Sequence, residues 1–259
     1  MTLAALVVLA GLALAGVLLW RRLAPGLQPL PPDSTLREGL LVALAGFLGL
    51  DLLAASCVPR GDEPPNFVLL VEVRAVAGLL LAGLALLAVR GRGGPGALGL
   101  RRAGGPPALL VGLAAWLAFL PVLTGVSWLN RELLETLGVE PPGQQRWLAE
   151  FLAAPEARTS LPAWAAMALA LPFFEELFFR GGLYGGLRRA LPRQLAIGLA
   201  AAAFGLVHEP TFWLPTAALG VALVLLYERS GSLAAPFAFH ALHNGLTLAI
   251  VCWQPELAG

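Results

Sequence analysis

Pro172-Phe173-Phe174-Glu175-Glu176-Leu177-Phe178-Phe179-Arg180 decides how the rest of the chain is read. Two adjacent carboxylates and an arginine stand inside an apolar run from about Leu161 to Leu187. A bilayer-spanning helix takes roughly 20 mostly apolar residues, and this run is long enough. Each charge costs on the order of 2.5–3.5 kcal/mol at the centre of such a helix on the insertion scale. Three charges so close together need a use. Glu176 and Arg180 are four residues apart, share a helix face and can pair. Glu175 points about 100° away from Glu176 by the helical repeat. One carboxylate can therefore be neutralised while the other serves as a general acid or base held by its neighbours. A buried ion-pair cluster that joins helices is the structural alternative.

The composition agrees with a membrane setting. Of 259 residues, 58% are hydrophobic and 13% charged, and the mean hydropathy is +0.78. These values describe an all-α, polytopic membrane helix bundle. A net charge of +1 gives no footing for a nucleic-acid partner. Cys57 and Cys252 both lie in apolar runs and read as small core residues, not as a disulfide framework or a metal site. All 17 basic residues are arginine. The first 20 residues are apolar and Arg21-Arg22 follow them. A secretory signal has the opposite charge order, so this stretch reads as a retained first span.

Eight spans follow from hydropathy, at about 2–20, 39–58, 67–89, 107–128, 161–187, 194–208, 212–228 and 233–253. Arg21, Arg22, Arg37, Arg90, Arg92, Arg101, Arg102, Arg188, Arg189, Arg193 and Arg229 fall on one side, against Arg60, Arg131, Arg146 and Arg158 on the other. By the positive-inside rule the first group marks the cytoplasm, and both termini are expected outside. The expected localisation is integral to a membrane, taken to be a bacterial cytoplasmic (inner) membrane. Trp20, Trp128, Trp213 and Trp253 fall near span ends, as an aromatic belt does. The Gly-, Pro- and Arg-rich segment 90–107 reads as a loop. In 129–160, Leu129–Leu137 and Gln145–Ala153 alternate apolar and charged residues at helical spacing. They are expected to be short interfacial helices, with solvated loop helices as the alternative. The chain thus divides into N-terminal transmembrane helices (1–128), an external interfacial segment (129–160) and a helical core (161–253). Asp51 and the Glu72/Arg74 pair are further intramembrane charges, expected to pair across helices, with the lining of a path as the alternative.

The remaining intramembrane polar residues come late. His208 follows Phe204 by four residues, and His240 and Asn244 are four apart on one face. His243 borders that face. At a rise of about 1.5 Å per residue, Glu175 lies roughly 20 Å from Arg188, and His208 roughly 22 Å from Arg193. Asn244 lies roughly 22 Å from Arg229 and His240 roughly 16 Å. Three helices thus carry polar groups to nearly one level.

Glu175-Glu176-x-x-x-Arg180, Phe204-x-x-x-His208 and His240-x-x-x-Asn244 resemble the three motifs of the CAAX-protease and bacteriocin-processing family of intramembrane proteases. That family is also called Abi or type II CAAX endopeptidases. The lead-in Leu226-Tyr227-Glu228-Arg229-Ser230-Gly231-Ser232-Leu233 is similar to the family's approach to its third motif. The resemblance covers about residues 160–250, and the first four spans carry no such signature. It implies that Glu175 acts with His208 to activate a water that attacks a peptide carbonyl. It implies that His240 and Asn244 form the oxyanion hole, which needs donors aimed at the developing charge. Glu176, Arg180, Phe204 and His243 are then supporting residues.

The family has been described as metalloproteases, and Glu175, His208 and His240 offer a three-ligand set for zinc. No His-Glu-x-x-His motif occurs, since His208-Glu209 is followed by Pro210 and position 212 is Phe. Metal-free glutamate catalysis, with no cofactor, is favoured. The expected partners are membrane lipid and a membrane-associated or lipid-anchored peptide or protein substrate. Two other classes compete: a non-catalytic immunity or scaffold protein of the same fold, and a proton-coupled transporter using Glu175 and His208. The transporter predicts inverted repeats, and the sequence has none.

Overall fold

The computed structural model describes residues 3–27, 29, 45–46, 49–50, 66–90, 94–100, 106–140 and 145–253. All regular structure among the described residues is helical. The helices are α1 (Leu3–Leu23), α2 (Phe67–Ala88), α3 (Ala108–Thr136), α4 (Arg146–Ala153), α5 (Pro155–Thr159), α6 (Leu161–Ala190), α7 (Arg193–Leu206), α8 (Trp213–Ser230) and α9 (Ala234–Trp253). Among the described residues, six helices are long and apolar enough to cross a membrane: α1, α2, α3, α6, α8 and α9. The short helix α7 is apolar too. The chain is an integral membrane helix bundle. The expected span at 39–58, with Asp51 and Cys57, lies almost wholly outside the described residues.

Helix α6 is the centre of the bundle and packs against α2, α7, α8 and α9. Its most apolar window is 44% buried, whereas the Leu6–Gly26 window is only 6% buried. That contrast puts α1 on the periphery, against α3. Helix α3 in turn leans on α8 and α9. Leu98, Phe174, Phe178, Tyr184 and Tyr227 sit in one core cluster, and Phe179, Phe204, Leu223 and Phe239 in another.

Helix α6 is not regular. It starts where Ser160 Oγ accepts a hydrogen bond from the Ala163 amide, with Pro162 in the first turn. Two π-helical stretches, Ala166–Ala170 and Leu177–Tyr184, flank the α-helical Leu171–Glu176. Pro172 has no N–H to give to the preceding turn, so the standard ladder is interrupted there. Such wide turns recur at functional sites. The two glutamates close the α-helical piece, and Arg180 lies in the second π stretch.

Helix α3 differs from expectation. It runs on past Trp128 through Thr136, so Leu129–Leu137 continues this helix and is not a separate one. Ser127–Thr136 contains no Gly or Pro and is rich in Leu and Glu, so nothing interrupts it. Gly138, at φ 71, closes it in the left-handed region. Helix α4 forms within the expected Gln145–Ala153 stretch but is not solvated all round. Leu148 and Phe151 are buried with Ala166, Met167, Leu248 and Val251, so α4 packs over α6 and α9.

At the opposite end, the described part of segment 90–107 is folded into the bundle. Leu98 is fully buried, and the Leu233 amide donates to Gly99 O at 2.9 Å. A Cβ on Gly181 would lie 2.4 Å from Leu98 O, so only glycine lets α6 approach this turn. Glu228 ties three helices here, accepting from Tyr184 Oη and, at 2.6–3.1 Å, from Arg193. Of the other expected intramembrane charges, Glu72 is half-buried and Arg74 exposed on α2. Trp128, Trp213 and Trp253 are exposed, as side chains at a membrane boundary are.

Candidate active site

The two adjacent glutamates have different surroundings. Glu176 is fully buried, and its Oε1 accepts from Arg180 Nη1 at 2.8 Å. The same oxygen lies 2.8 Å from His240 Nδ1. A carboxylate oxygen only accepts, so the hydrogen of that contact sits on Nδ1. Glu175 is 23% exposed, and its Oε2 stands 3.7 Å from His240 Nε2. His240 therefore lies between the two carboxylates, one on each ring nitrogen.

Phe204 is the floor of the cluster. The Arg180 guanidinium stands 4.4 Å from its ring centre, a cation–π geometry in a buried setting. The His208 ring lies 4.7 Å from the Phe204 ring and the His240 ring 5.9 Å from it. One phenylalanine thus gathers groups from α6, α9 and the turn after α7. Phe179 meets the same ring edge-on at 4.9 Å.

His208 has Nδ1 2.6 Å from Phe204 O. A carbonyl only accepts, so Nδ1 carries the hydrogen, and Nε2 of the neutral ring is left as an acceptor. Among the described residues no hydrogen bond or ion pair joins His208 to Glu175. Asn244 Nδ2 donates to Met167 O at 3.2 Å, in the first π-helical stretch of α6. That bond takes one of the two amide hydrogens. His243 faces α3, and its Nδ1 is 3.4 Å from Trp116 Nε1.

Among the described residues, three buried polar atoms here have no hydrogen-bond partner: Glu175 Oε2, Glu176 Oε2 and Arg180 Nη2. Each such atom costs about 1–3 kcal/mol when it stays unsatisfied. Three of them within two helical turns single this region out as a place built for something other than stability. Among the described residues no group of three His, Cys, Asp or Glu side chains is placed to hold a metal ion. Glu175 and His240 approach one another, but His208 is not gathered with them into a ligand set.

Sequence reasoning missed two polar contacts at the edges of this region. Asn130 on α3 donates to Thr211 O at 2.8 Å, and Tyr184 and Arg193 both hold Glu228. Asn130 left one signal, an uncharged polar residue within an amphipathic stretch of Leu, Arg and Glu.

Residues 157–246 match the family model described as Type II CAAX prenyl endopeptidase Rce1-like. No curated protein and no solved structure matches the chain.

Proposed function

We propose that the chain, whose residues 157–246 match the Rce1-like type II CAAX prenyl endopeptidase model, is an intramembrane endopeptidase whose Glu175 activates the attacking water. One observation carries this reading. Among the described residues Glu175 Oε2 has no hydrogen-bond partner, and it belongs to a side chain that keeps some exposure. Its neighbour Glu176 is wholly buried and engaged with Arg180 and His240. One glutamate holds the site together, and the other, on a partly exposed side chain, keeps its buried Oε2 uncommitted to a hydrogen bond.

The steps follow from the chemistry of each group. Glu175 takes a proton from water, and the oxygen forms a bond to the peptide carbonyl carbon. The negative charge that develops on the carbonyl oxygen needs donors placed in advance. His240 can donate from Nε2 when its ring carries hydrogens on both nitrogens, with Nδ1 still bonded to Glu176. That ring, with Arg180, balances the two carboxylates. Asn244 has a second amide hydrogen beyond the one given to Met167 O. The C–N bond then breaks, and the proton held by Glu175 passes to the leaving amine. His208, with Nδ1 committed to Phe204 O, has Nε2 left to accept the other hydrogen of the attacking water. Glu176, Arg180 and Phe204 hold His240, and no step uses a metal.

The non-catalytic alternative has one specific observation in its favour. Asn244 already bridges α9 to α6 through Met167 O, a role that needs no chemistry. The test is direct: vesicles holding the purified protein are given prenylated and transmembrane peptides, and the products are read by mass spectrometry. Cleavage at one bond, with one solvent oxygen in the new carboxylate, supports the endopeptidase. Intact peptides of both classes, with a correctly folded protein, favour the scaffold.

A further inference from the structure

The geometry points to Asn130 as the positioning residue for His208, supplied from outside the family-matched part of the chain. This inference rests on the reading that His208 works in hydrolysis.

The turn after α7 is short, and His208 lies within it. Thr211 sits in the single 3-10 turn Pro210–Phe212 that leads into α8. Pro215 follows Thr211 by four residues and has no N–H, so the Thr211 carbonyl lacks its usual helical donor. Asn130 Nδ2 fills that place at 2.8 Å. Asn130 is buried, as a side chain with a fixed partner should be. Thr211 Oγ1 reaches Glu209 Oε1 at 3.3 Å, and the Phe212 amide donates to Glu209 O at 2.9 Å. The clamp on Thr211 is therefore carried back to the residue beside His208. On the other side, the His208 amide donates to Gly205 O and its ring to Phe204 O. His208 is thus fixed from α7 before it and from α3 after it.

Helix α3 is suited to this work. Trp116, Leu123 and Asn130 recur every seven residues, so they drift only about 20° per repeat and form one stripe. Trp116 meets His243 on α9, Leu123 is buried in the same core cluster as Phe179 and Phe204, and Asn130 holds Thr211. The stripe spans roughly 21 Å at 1.5 Å per residue. A helix without any catalytic motif thus braces both histidine-bearing elements. Small errors in the placement of a reacting group cost up to about 100-fold in rate, even when the change is remote.

The test uses Asn130→Asp, which keeps the shape and removes the donor. Asn130→Gln, which keeps the donor, is the conservative rescue. The chain has only three histidines, so each ring of the isotopically labelled full-length protein can be followed by NMR in lipid nanodiscs. His208→Gln assigns the His208 signal. In Asn130→Asp the His208 ring resonance should move and that of His240 should stay. Turnover should fall by about 10- to 100-fold with KM changed less than about twofold. Asn130→Gln should recover much of both. An unmoved His208 resonance in a folded Asn130→Asp protein overturns the proposal, whatever the turnover. A moved resonance with full turnover upholds the positional link and instead removes His208 from the reaction. If Asn130→Asp does not fold, Asn130→Ala, which also lacks the donor, takes its place, and an unmoved His208 resonance in that folded variant overturns the proposal in the same way.

Discussion

Nδ1 of His240 lies 2.8 Å from Oε1 of Glu176, on the oxygen that also takes Nη1 of Arg180 at 2.8 Å. This three-way contact joins α6 to α9 with side chains that are almost completely buried. It fixes which face His240 turns to Glu175.

Removing the shared carboxylate should therefore act on stability first. Glu176→Gln leaves a buried guanidinium without its charge partner, a loss of about 3–5 kcal/mol. Thermal unfolding in detergent should show a large drop for Glu176→Gln and for Arg180→Met. The double variant should lose less than the sum, because neither charge is then left alone. Additive losses would mean that the two residues do not act as a pair.

Asn244 has two roles that can be separated. Its bond to Met167 O joins α9 to α6, and interhelical bonds of this kind average about 0.6 kcal/mol. Its second amide hydrogen is the oxyanion donor in the proposed mechanism. Removing one such donor typically lowers turnover by about 10²–10³-fold. Asn244→Ala should lower kcat by that order with KM little changed and only a slight fall in Tm. Asn244→Asp should be at least as harmful, since an ionised carboxylate repels the forming oxyanion. A small Tm change with an unaltered rate would leave Asn244 as a helix bridge alone.

Much of the bundle is legible in the hydropathy. Long apolar runs need internally bonded backbone in a bilayer, so span positions follow from composition. The pairing of Glu176 with Arg180 is legible too, because it depends only on four-residue spacing along one helix. Pro172 marks a break in the ladder beside the first π-helical stretch of α6, but no residue type marks the second. Glu228 is another such case. Its partners Tyr184 and Arg193 lie on two other helices, and no local spacing brings them together. The motif spacing aligns His208 with Glu175, yet the nearest ring nitrogen to Glu175 is on His240. Depth along a helix can be counted from sequence, but rotation about its axis depends on neighbours such as Phe204.

Metal dependence has its own test. The residues around Glu175 do not form a three-ligand set among those described. Purified protein should keep its turnover after exhaustive chelation and hold no stoichiometric zinc by elemental analysis. Loss of activity that zinc alone restores would require a rearranged site in which His208 joins Glu175 and His240.

The central claim is that Glu175 is the base. Glu175→Gln keeps the shape of the side chain and removes its capacity to take a proton. The measurement is turnover of a defined membrane-associated peptide by wild type and Glu175→Gln, each shown to be folded by its unfolding midpoint. The account predicts loss of cleavage in Glu175→Gln with a midpoint close to wild type, because the Glu176–Arg180–His240 contact is untouched. Wild-type turnover in the folded Glu175→Gln protein would contradict it.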